Sequence, residues 1–473
     1  MSQAKWFRVA AAVAIGALML AYSETRAFAW DEGYHLVAAM LIKAGKRPYL
    51  DFCFPQTPLN TYWNAGWMRL LGESWRAIHV VAAVLCCATA WLASGWARTR
   101  FPDAAWRGAA ALAVILTVGL NVLIIQYGEI GQAYALTLIL IVTAFRLAVT
   151  AVESGRITLA ALAGLAAGGG AAATLLSAPV GVVLLVWILV YNQAGDRWKK
   201  AAALVAGEVL AFLPLILLFI RDPRKVFFNV VQYQLLYRQL AWEGAIGHDA
   251  TVWIAWLDSS HGLLLALLAA GGLLWVQFRS GWERARRAEF YLCAWLAVAL
   301  MLHISNAHPT FKQYYMLAVP FLAILASACL YAIAPRARWQ VAVLGVVLVM
   351  GLAKTIAEED AYTWPKLEPL ARLIDRVTPP GAPVLADENI YFLAHRLPPP
   401  GLELNDSHKL DFPKDKADWL HLVSEAEIER RIEAGDYATV ESCGEYEGFD
   451  QSAVTVYKQK KDAANCKVYW DRK

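Results

Sequence analysis

Eleven apolar stretches of roughly 20 residues, nearly free of charge, run through this 473-residue chain, and about that length is needed to cross the hydrocarbon core of a bilayer. They fall at about 8–24, 76–94, 107–126, 130–150, 157–176, 179–195, 200–220, 259–278, 289–305, 314–334 and 338–355. The run from Ile157 to Gly195 carries no charge and is too long for one helix, so it divides at Ser177-Ala178-Pro179, where proline interrupts helical continuity. With 59% hydrophobic and 17% charged residues and a mean hydropathy of +0.42, an ordinary soluble globule is excluded. The expectation is an all-α polytopic bundle.

Basic residues in the short connections give the orientation, because loops on the cytoplasmic side hold the excess of lysine and arginine. With Lys5 and Arg8 inside, the inner loops carry Arg98, Arg100 and Arg107, then Arg156, then Arg197, Lys199 and Lys200, then Arg279, Arg284, Arg286 and Arg287, and finally Arg336 and Arg338. The outer segments are then 25–75, the turn at Gly128-Glu129, 221–258, 305–313 and everything after Lys354. All long polar segments fall on one side. Lys5, Arg8, the apolar stretch from Val9 to Tyr22 and the small residues at 27–29 also fit a cleavable signal peptide; either way Asp31 lies outside. The inner loops account for most of the net charge of +4, so no nucleic-acid partner is inferred.

Cys86, Cys87, Cys293 and Cys329 fall within apolar spans and read as packing residues. Cys443 and Cys466 lie in the outer tail, where an oxidising compartment permits a disulfide. Two units follow: a membrane module over 1–356, and a small α/β domain over 357–473 on the outer face. In the second unit charge rises, prolines cluster, and β-like runs (APVLAD, YATVES, AVTVYK) alternate with helical stretches. Ser424 with Glu427 is a capping-box signature, and Gly435 suits the far end of that helix. This domain reads as a cap that guides substrate or stabilises the bundle.

The first outer loop concentrates the chemistry. In WDEGYHLVAAMLIKAGKRPYLDFCFPQTPLNTYW, Tyr34 to Ala44 has the period of a helix lying along the interface, with Asp31 and Glu32 at its N-terminal end. Helix dipoles favour acids there, so capping alone could explain the pair. Asp51, Gln56 and Thr57 follow among aromatic residues, however, and polar groups gathered beside a membrane bundle signal a cavity.

These residues carry a family resemblance. An acidic pair straight after the first span, a short helix, a Gly-x-x-Pro-Tyr-x-Asp-Phe turn at 45–52, the aromatic-rich Gln56–Trp63 segment and the late Lys312–Pro320 segment entering a span resemble the polyprenyl-phosphate-sugar-dependent GT-C glycosyltransferases. Among these the chain looks most like the bacterial relatives of the protein O-mannosyltransferases and the aminoarabinose transferases. The resemblance implies a GT-C-like bundle with interfacial outer-loop helices and an extracytoplasmic α/β domain in a bacterial inner membrane. It implies an inverting transfer of a hexose or pentose from a polyprenyl-phosphate donor to a lipid, glycan or protein acceptor, with Asp31 as catalytic base and Glu32 shaping the site or touching substrate. No cofactor or divalent metal is expected, since the branch it resembles generally works without one. The chemistry stands on its own terms as well: an acceptor must lose a proton as positive charge builds on the sugar ring, and a carboxylate serves both needs.

The leaving phosphate needs cations or donors. Lys312, just before a span and beside Tyr314 and Tyr315, is the leading candidate, with Arg47, Arg69, Arg221, Arg224, Lys225 and Arg238 behind it. His35, Asp51, Gln56, Glu129 and Gln132 complete the candidate substrate contacts, although Glu129 and Gln132 could equally decorate a turn. Two departures from the family pattern are visible. Gln56-Thr57-Pro58 stands where some members carry Glu-Lys-Pro, and His79 stands where an arginine is often found early in the second span. His303 and His308 have no acidic partner spaced with them and make a poor metal pair. Glu208 interrupts an apolar span nearer its inner end, where helix packing is the simpler role. The competing class, a transporter or flippase for a lipid-linked or polar solute, should show repeated halves and polar groups at the bilayer middle; no convincing repeat is present.

Overall fold

The computed structural model describes residues 3–472 apart from 193–194, 242–244, 260, 308, 336–337, 359, 444–448 and 450–451. Helix α1 (Gln3–Thr25) leads through α2 (Glu32–Lys43) and α3 (Leu59–Leu71) to the long α4 (Trp75–Arg100). The bundle continues with α5 (Ala104–Gly119), the short α6 (Val122–Tyr127), α7 (Tyr134–Ser154), α8 (Ile157–Ala173), α9 (Pro179–Tyr191), α10 (Arg197–Ala211) and α11 (Leu213–Arg221). Then come α12 (Pro223–Phe227), a π-helical turn over Phe228–Gln232, α13 (Tyr233–Ala241), α14 (Ala245–Asp258), α15 (Gly262–Phe278), α16 (Arg284–Ser305), a 3₁₀ turn over Lys312–Ala318, α17 (Val319–Ile333) and α18 (Trp339–Ala357).

Each expected span has a helical counterpart. Among the described residues six helices are long and apolar enough to cross alone, α10–α11 and α14–α15 are pairs bent by 56° and 76°, and three further apolar helices are shorter. Small residues set the closest contacts between them. A Cβ on Gly164 would lie 1.8 Å from the Leu204 carbonyl oxygen, and one on Gly207 would lie 2.0 Å from that of Ala161, so bare backbone lets α8 and α10 touch. Glu208 lies against Gly181 of α9 rather than against a polar partner, and its Oε1 is unpaired.

The two ends of the bundle differ. At one end Arg100 pairs with Glu153 and Glu289, and Arg8 donates to Ser94 Oγ at 3.0 Å and to the Trp91 carbonyl at 2.8 Å. At the other end α2, α3 and the α12–α13 segment lie over the bundle beneath the C-terminal unit. That unit contains α19 (Trp364–Val377), β1 (Val384–Leu385), α20 (Glu388–Leu393), α21 (Lys414–Leu420), α22 (Glu425–Ala434), β2 (Thr439–Cys443), β3 (Tyr457–Ala463) and β4 (Cys466–Arg472). The sheet order is β1-β2-β4-β3, parallel at β1–β2 and antiparallel elsewhere. Cys443 and Cys466 face each other in register and form a disulfide.

Two local expectations change. The AVTVYK run is a 3₁₀ turn over Ala453–Val456 before β3 begins at Tyr457. Ser424 occupies the N-cap of α22 and Gly435 closes it with a φ of 70°, but Ser424 makes no side-chain cap bond. Glu427 instead turns forward to Arg430 and Arg431, whose charge-assisted hydrogen bonds are stronger than a neutral capping bond.

The C-terminal unit is not a loose appendage. Leu36 to Ile42 of α2, Tyr49, Phe52, Phe54, Trp75 and Ile78 share one apolar core with Trp364, Leu367, Leu370, Ile374, Ile390, Tyr391 and Phe392. Burial of that shared surface fixes the C-terminal cap on the segment between α1 and α4.

Candidate active site

Asp31 stands at the N-cap of α2 with φ −62° and ψ −10°, and its side chain makes no capping bond. The dihedrals explain this: a cap normally sits in the extended region, from which its oxygen reaches the next free amides. Its carboxylate has no hydrogen-bond or ionic partner among the described residues, and the residue is exposed. It is nevertheless ringed by protein, as on the wall of a cleft. Desolvation, with smaller contributions from the charges of Asp406 and Asp387, raises its pKa to about 6. Capping therefore does not account for this acid.

Glu32 is arranged in the opposite way. It is fully buried, and its Oε1 accepts from the Gly131 amide at 2.6 Å and faces His79 Nε2 at 2.8 Å. Its Oε2 accepts from Trp364 Nε1 at 2.9 Å. One carboxylate thus joins α2, the turn before α7, span α4 and the C-terminal unit. His79 Nδ1 lies 2.8 Å from the Ser23 carbonyl, which can only accept, so Nδ1 carries a proton. Nε2 meets a carboxylate oxygen, so a second proton must lie between the ring and Glu32. The pair holds together only with that proton present.

Two tyrosines lie near enough to Asp31 to feel its charge. Its charge is felt at Tyr34 and at Tyr134, and Tyr134 is coupled in turn to Tyr314, Tyr34 and Tyr127. Tyr34 hydrogen-bonds Gln56 and stacks on His35 with ring centres 4.2 Å apart. Tyr314 lies 6.4 Å from the Tyr134 ring. Lys312 is exposed, makes no ion pair among the described residues, and places its ammonium 5.8 Å from the Tyr127 ring centre.

The remaining wall comes from the C-terminal unit. Asp387 Oδ1 accepts from the amide and side-chain nitrogen of Asn389, each at 2.8 Å, and Oδ2 accepts from Asn405 Nδ2 at 3.2 Å. Asn389 Nδ2 also donates to the Trp30 carbonyl at 3.1 Å, just before Asp31. Burial raises the Asp387 carboxyl to about 6 despite these donors. Asp406 sits in the following turn and pairs with Lys409 at 3.1 Å.

The other candidates are distributed as follows. Gln56 joins the site through Tyr34. His35 is buried behind Tyr34 with Nδ1 unpaired, and burial pushes its pKa down to about 3, so the ring is neutral. Asp51 is clasped by Arg47 through two side-chain bonds of 2.9 and 2.8 Å and a backbone bond of 2.8 Å, which closes a surface loop and removes both from the site. Glu129 is fully buried with both oxygens unpaired, pushed well above the usual carboxylate range, and its charge would act on Tyr22, Cys86 and Cys87. Gln132 is buried beside it with Oε1 unpaired.

Tyr315 points into the bundle, against Trp253 and Trp256 at 5.1 and 5.5 Å, and away from Tyr314. Successive side chains in a 3₁₀ turn project about 120° apart, so these neighbours cannot share a face. Lys225 reaches the Leu50 carbonyl and His421, and Arg69 the Ile42 carbonyl. The Arg238 side chain and His308 lie outside the described residues. His303 meets the Leu175 carbonyl at 3.1 Å. Glu441, Cys443 and Cys466 bring possible ligand atoms together, but both sulfurs are committed to the disulfide. Sequence reasoning missed Asp387, Asp406 and Tyr134; only the first two, as acids in a proline-punctuated cap, carried any signal.

The chain is thus a many-helix bundle in which the segment after the first helix presents an acid, with no hydrogen-bond partner among the described residues, beneath a C-terminal cap. The chain is similar to ArnT from Cupriavidus metallidurans in two crystal structures, one bound to undecaprenyl phosphate and one in the apo state. Each gives a TM-score of 0.70 at 14% sequence identity over 99% of this chain and 98% of that one. No protein-family model and no curated protein matches the chain.

Proposed function

We propose that this protein is an integral membrane glycosyltransferase that moves a sugar from a polyprenyl-phosphate donor to an acceptor at the extracytoplasmic face of a bacterial inner membrane. The observation that carries the reading is Asp31: an accessible, unpaired carboxylate with a pKa near 6, enclosed between a lipid-embedded bundle and a polar cap. A base with that pKa is largely ionised at neutral pH and still close to the optimum for proton transfer. It takes the proton of the acceptor hydroxyl while the acceptor oxygen bonds to the anomeric carbon. The carbon–oxygen bond to phosphate breaks, and the polyprenyl phosphate leaves with the electron pair. Attack opposite the leaving group inverts the anomeric centre.

Lys312 supplies positive charge for the departing phosphate at the membrane boundary, with Tyr314 and Tyr134 as donors beside it. In this reading Glu32 positions Asp31 and does not touch substrate, because both its oxygens are engaged. The similar ArnT structure that contains undecaprenyl phosphate supports a lipid-linked donor. The Cys443–Cys466 disulfide supports an oxidising compartment for the cap, and the basic opposite end of the bundle supports a cytoplasmic placement there. A transporter would set its polar groups at the bilayer middle, whereas the cluster around Asp31 gathers where α2 meets the cap.

Purified protein incubated with a panel of undecaprenyl-phosphate-linked pentoses and hexoses should release undecaprenyl phosphate. Asp31→Asn should slow release by on the order of 10²- to 10⁴-fold, with thermal melting verifying its fold. A variant that turns over donor as fast as the wild type ends the assignment of Asp31.

A further inference from the structure

We propose that the cap side of the Asp31 cleft, built by Asp387, Asp406, Tyr34 and Tyr233, is an acceptor subsite for an uncharged, hydroxyl-rich saccharide and discriminates against phosphorylated acceptors. This rests on the glycosyltransferase reading and gives the acceptor a chemical class.

Charge is the first argument. Asp406 and Asp387 both act on Asp31, and among the described residues only Asp406 of the three has a cation, Lys409. The Asp387 carboxylate takes only neutral donors, from Asn389 and Asn405. The wall stays net negative. A phosphate brought to it meets like charge in a partly desolvated site, where repulsion is least screened. Hydroxyl groups instead find carboxylate acceptors. The three acids are not arranged as a metal cage, because among the described residues their oxygens do not converge within 4.8 Å as a ligand set.

A second, independent feature is the Tyr233 hydroxyl. Tyr233 is 3% exposed, its hydroxyl has no hydrogen-bond partner among the described residues, and it is coupled to both Asp406 and Tyr34. The residue shares an apolar cluster with Tyr34 and with Leu404, two positions before Asp406. Its helix begins directly after the π-helical turn, whose Asn229 Oδ1 accepts from the Phe54 amide at 2.7 Å, while Gln234 Nε2 donates to the Pro55 carbonyl at 2.7 Å. Those bonds lock α13 onto the segment leading to Gln56. Burying an unused phenol is unfavourable, and a ligand oxygen would satisfy it. π-helical turns of this kind recur at functional sites.

The test uses the full chain with undecaprenyl-phosphate-linked sugars and two matched acceptors, octyl β-glucoside below its micellar concentration and octyl β-glucoside 6-phosphate. The neutral glucoside should be used with kcat/KM at least tenfold higher. Tyr233→Phe should raise KM for octyl β-glucoside by roughly five- to tenfold with the donor KM unchanged, and Asp406→Asn should narrow the preference over the phosphate. Equal or better use of the phosphorylated acceptor, or an acceptor KM indifferent to Tyr233→Phe, overturns the subsite while continued undecaprenyl phosphate release leaves the transferase reading standing. No release with any donor and either acceptor overturns that reading, and this subsite with it.

Discussion

The indole of Trp364 donates to Glu32 Oε2 at 2.9 Å, linking two residues 332 positions apart. Trp364 opens α19, the first helix of the cap, and also stacks on Trp75 at the start of α4 with ring centres 5.8 Å apart and planes at 14°. The neighbour of Asp31 is therefore held by the cap and by the second span at once. In the proposed reading a lipid-linked donor and its acceptor meet between bundle and cap, so the two parts must stay in register, and this contact links them.

Trp364→Phe keeps the aromatic packing and deletes the donor. Glu32 Oε2 would then be a buried acceptor without a partner, which costs about 1–3 kcal/mol. The variant should melt at a lower temperature and lose kcat more than donor affinity, since its effect on chemistry passes through the placement of Asp31. Thermal melting with steady-state release of undecaprenyl phosphate reads both; unchanged melting and kcat together would remove Trp364 from the framework.

The pH dependence has a definite sign. Burial first, then Asp406 and Asp387, raises Asp31 to about 6; as the base of the proposed transfer it would work ionised, so kcat/KM should fall as pH drops through about 6. Asp406→Asn removes a negative neighbour, eases ionisation of Asp31 and should move the acid limb to lower pH. His35 cannot produce this limb, because burial holds it neutral to about pH 3. A limb that stays in place in the Asp406 variant would assign it to another group.

The membrane architecture was legible because hydropathy is a local property: each span announces itself within its own 20 residues. The position of Asp31, directly after the first span, was legible as well. Its tertiary neighbours were not. Asp387 and Asp406 come near residue 31 by tertiary folding, and no periodicity links them to it. Adjacent residues also part company, since Asp31 and Glu32 meet different surroundings through direction alone. Asp31 opens into the cleft, while Glu32 turns into the seam among His79, Gly131 and Trp364. Tyr314 and Tyr315 part for the same reason, at a 3₁₀ turn that an apolar span pattern does not reveal.

The disulfide offers a check on the cap alone. Cys443 and Cys466 are 23 positions apart and join β2 to β4, so closing that loop should stabilise the cap by roughly 3 kcal/mol. Replacing both with serine, or adding reductant, should lower the unfolding temperature of the cap and make it more open to protease. Identical melting curves with and without reductant would mean that the sheet holds without its staple.

Gly33 tests the seam between α2 and the cap at its tightest point. A Cβ there would lie 2.6 Å from the Asn389 amide nitrogen and 2.8 Å from its Oδ1, and neither can yield easily. The amide caps α20 through Asp387, and the side chain bonds both Asp387 and the Trp30 carbonyl. Gly33→Ala must therefore push α2 off α20 and break the contact that places Trp30 and Asp31 beside Asp387. Overpacking of this kind costs about 1–3 kcal/mol. Activity should suffer more than stability, because a displacement of about 1 Å in a catalytic group can cost around 10²-fold in rate. Gly66→Ala, at a glycine with open space around the added methyl, should leave both nearly unchanged. Equal activity in the two variants would show that the seam tolerates the extra carbon and that the position of Asp31 does not depend on this contact.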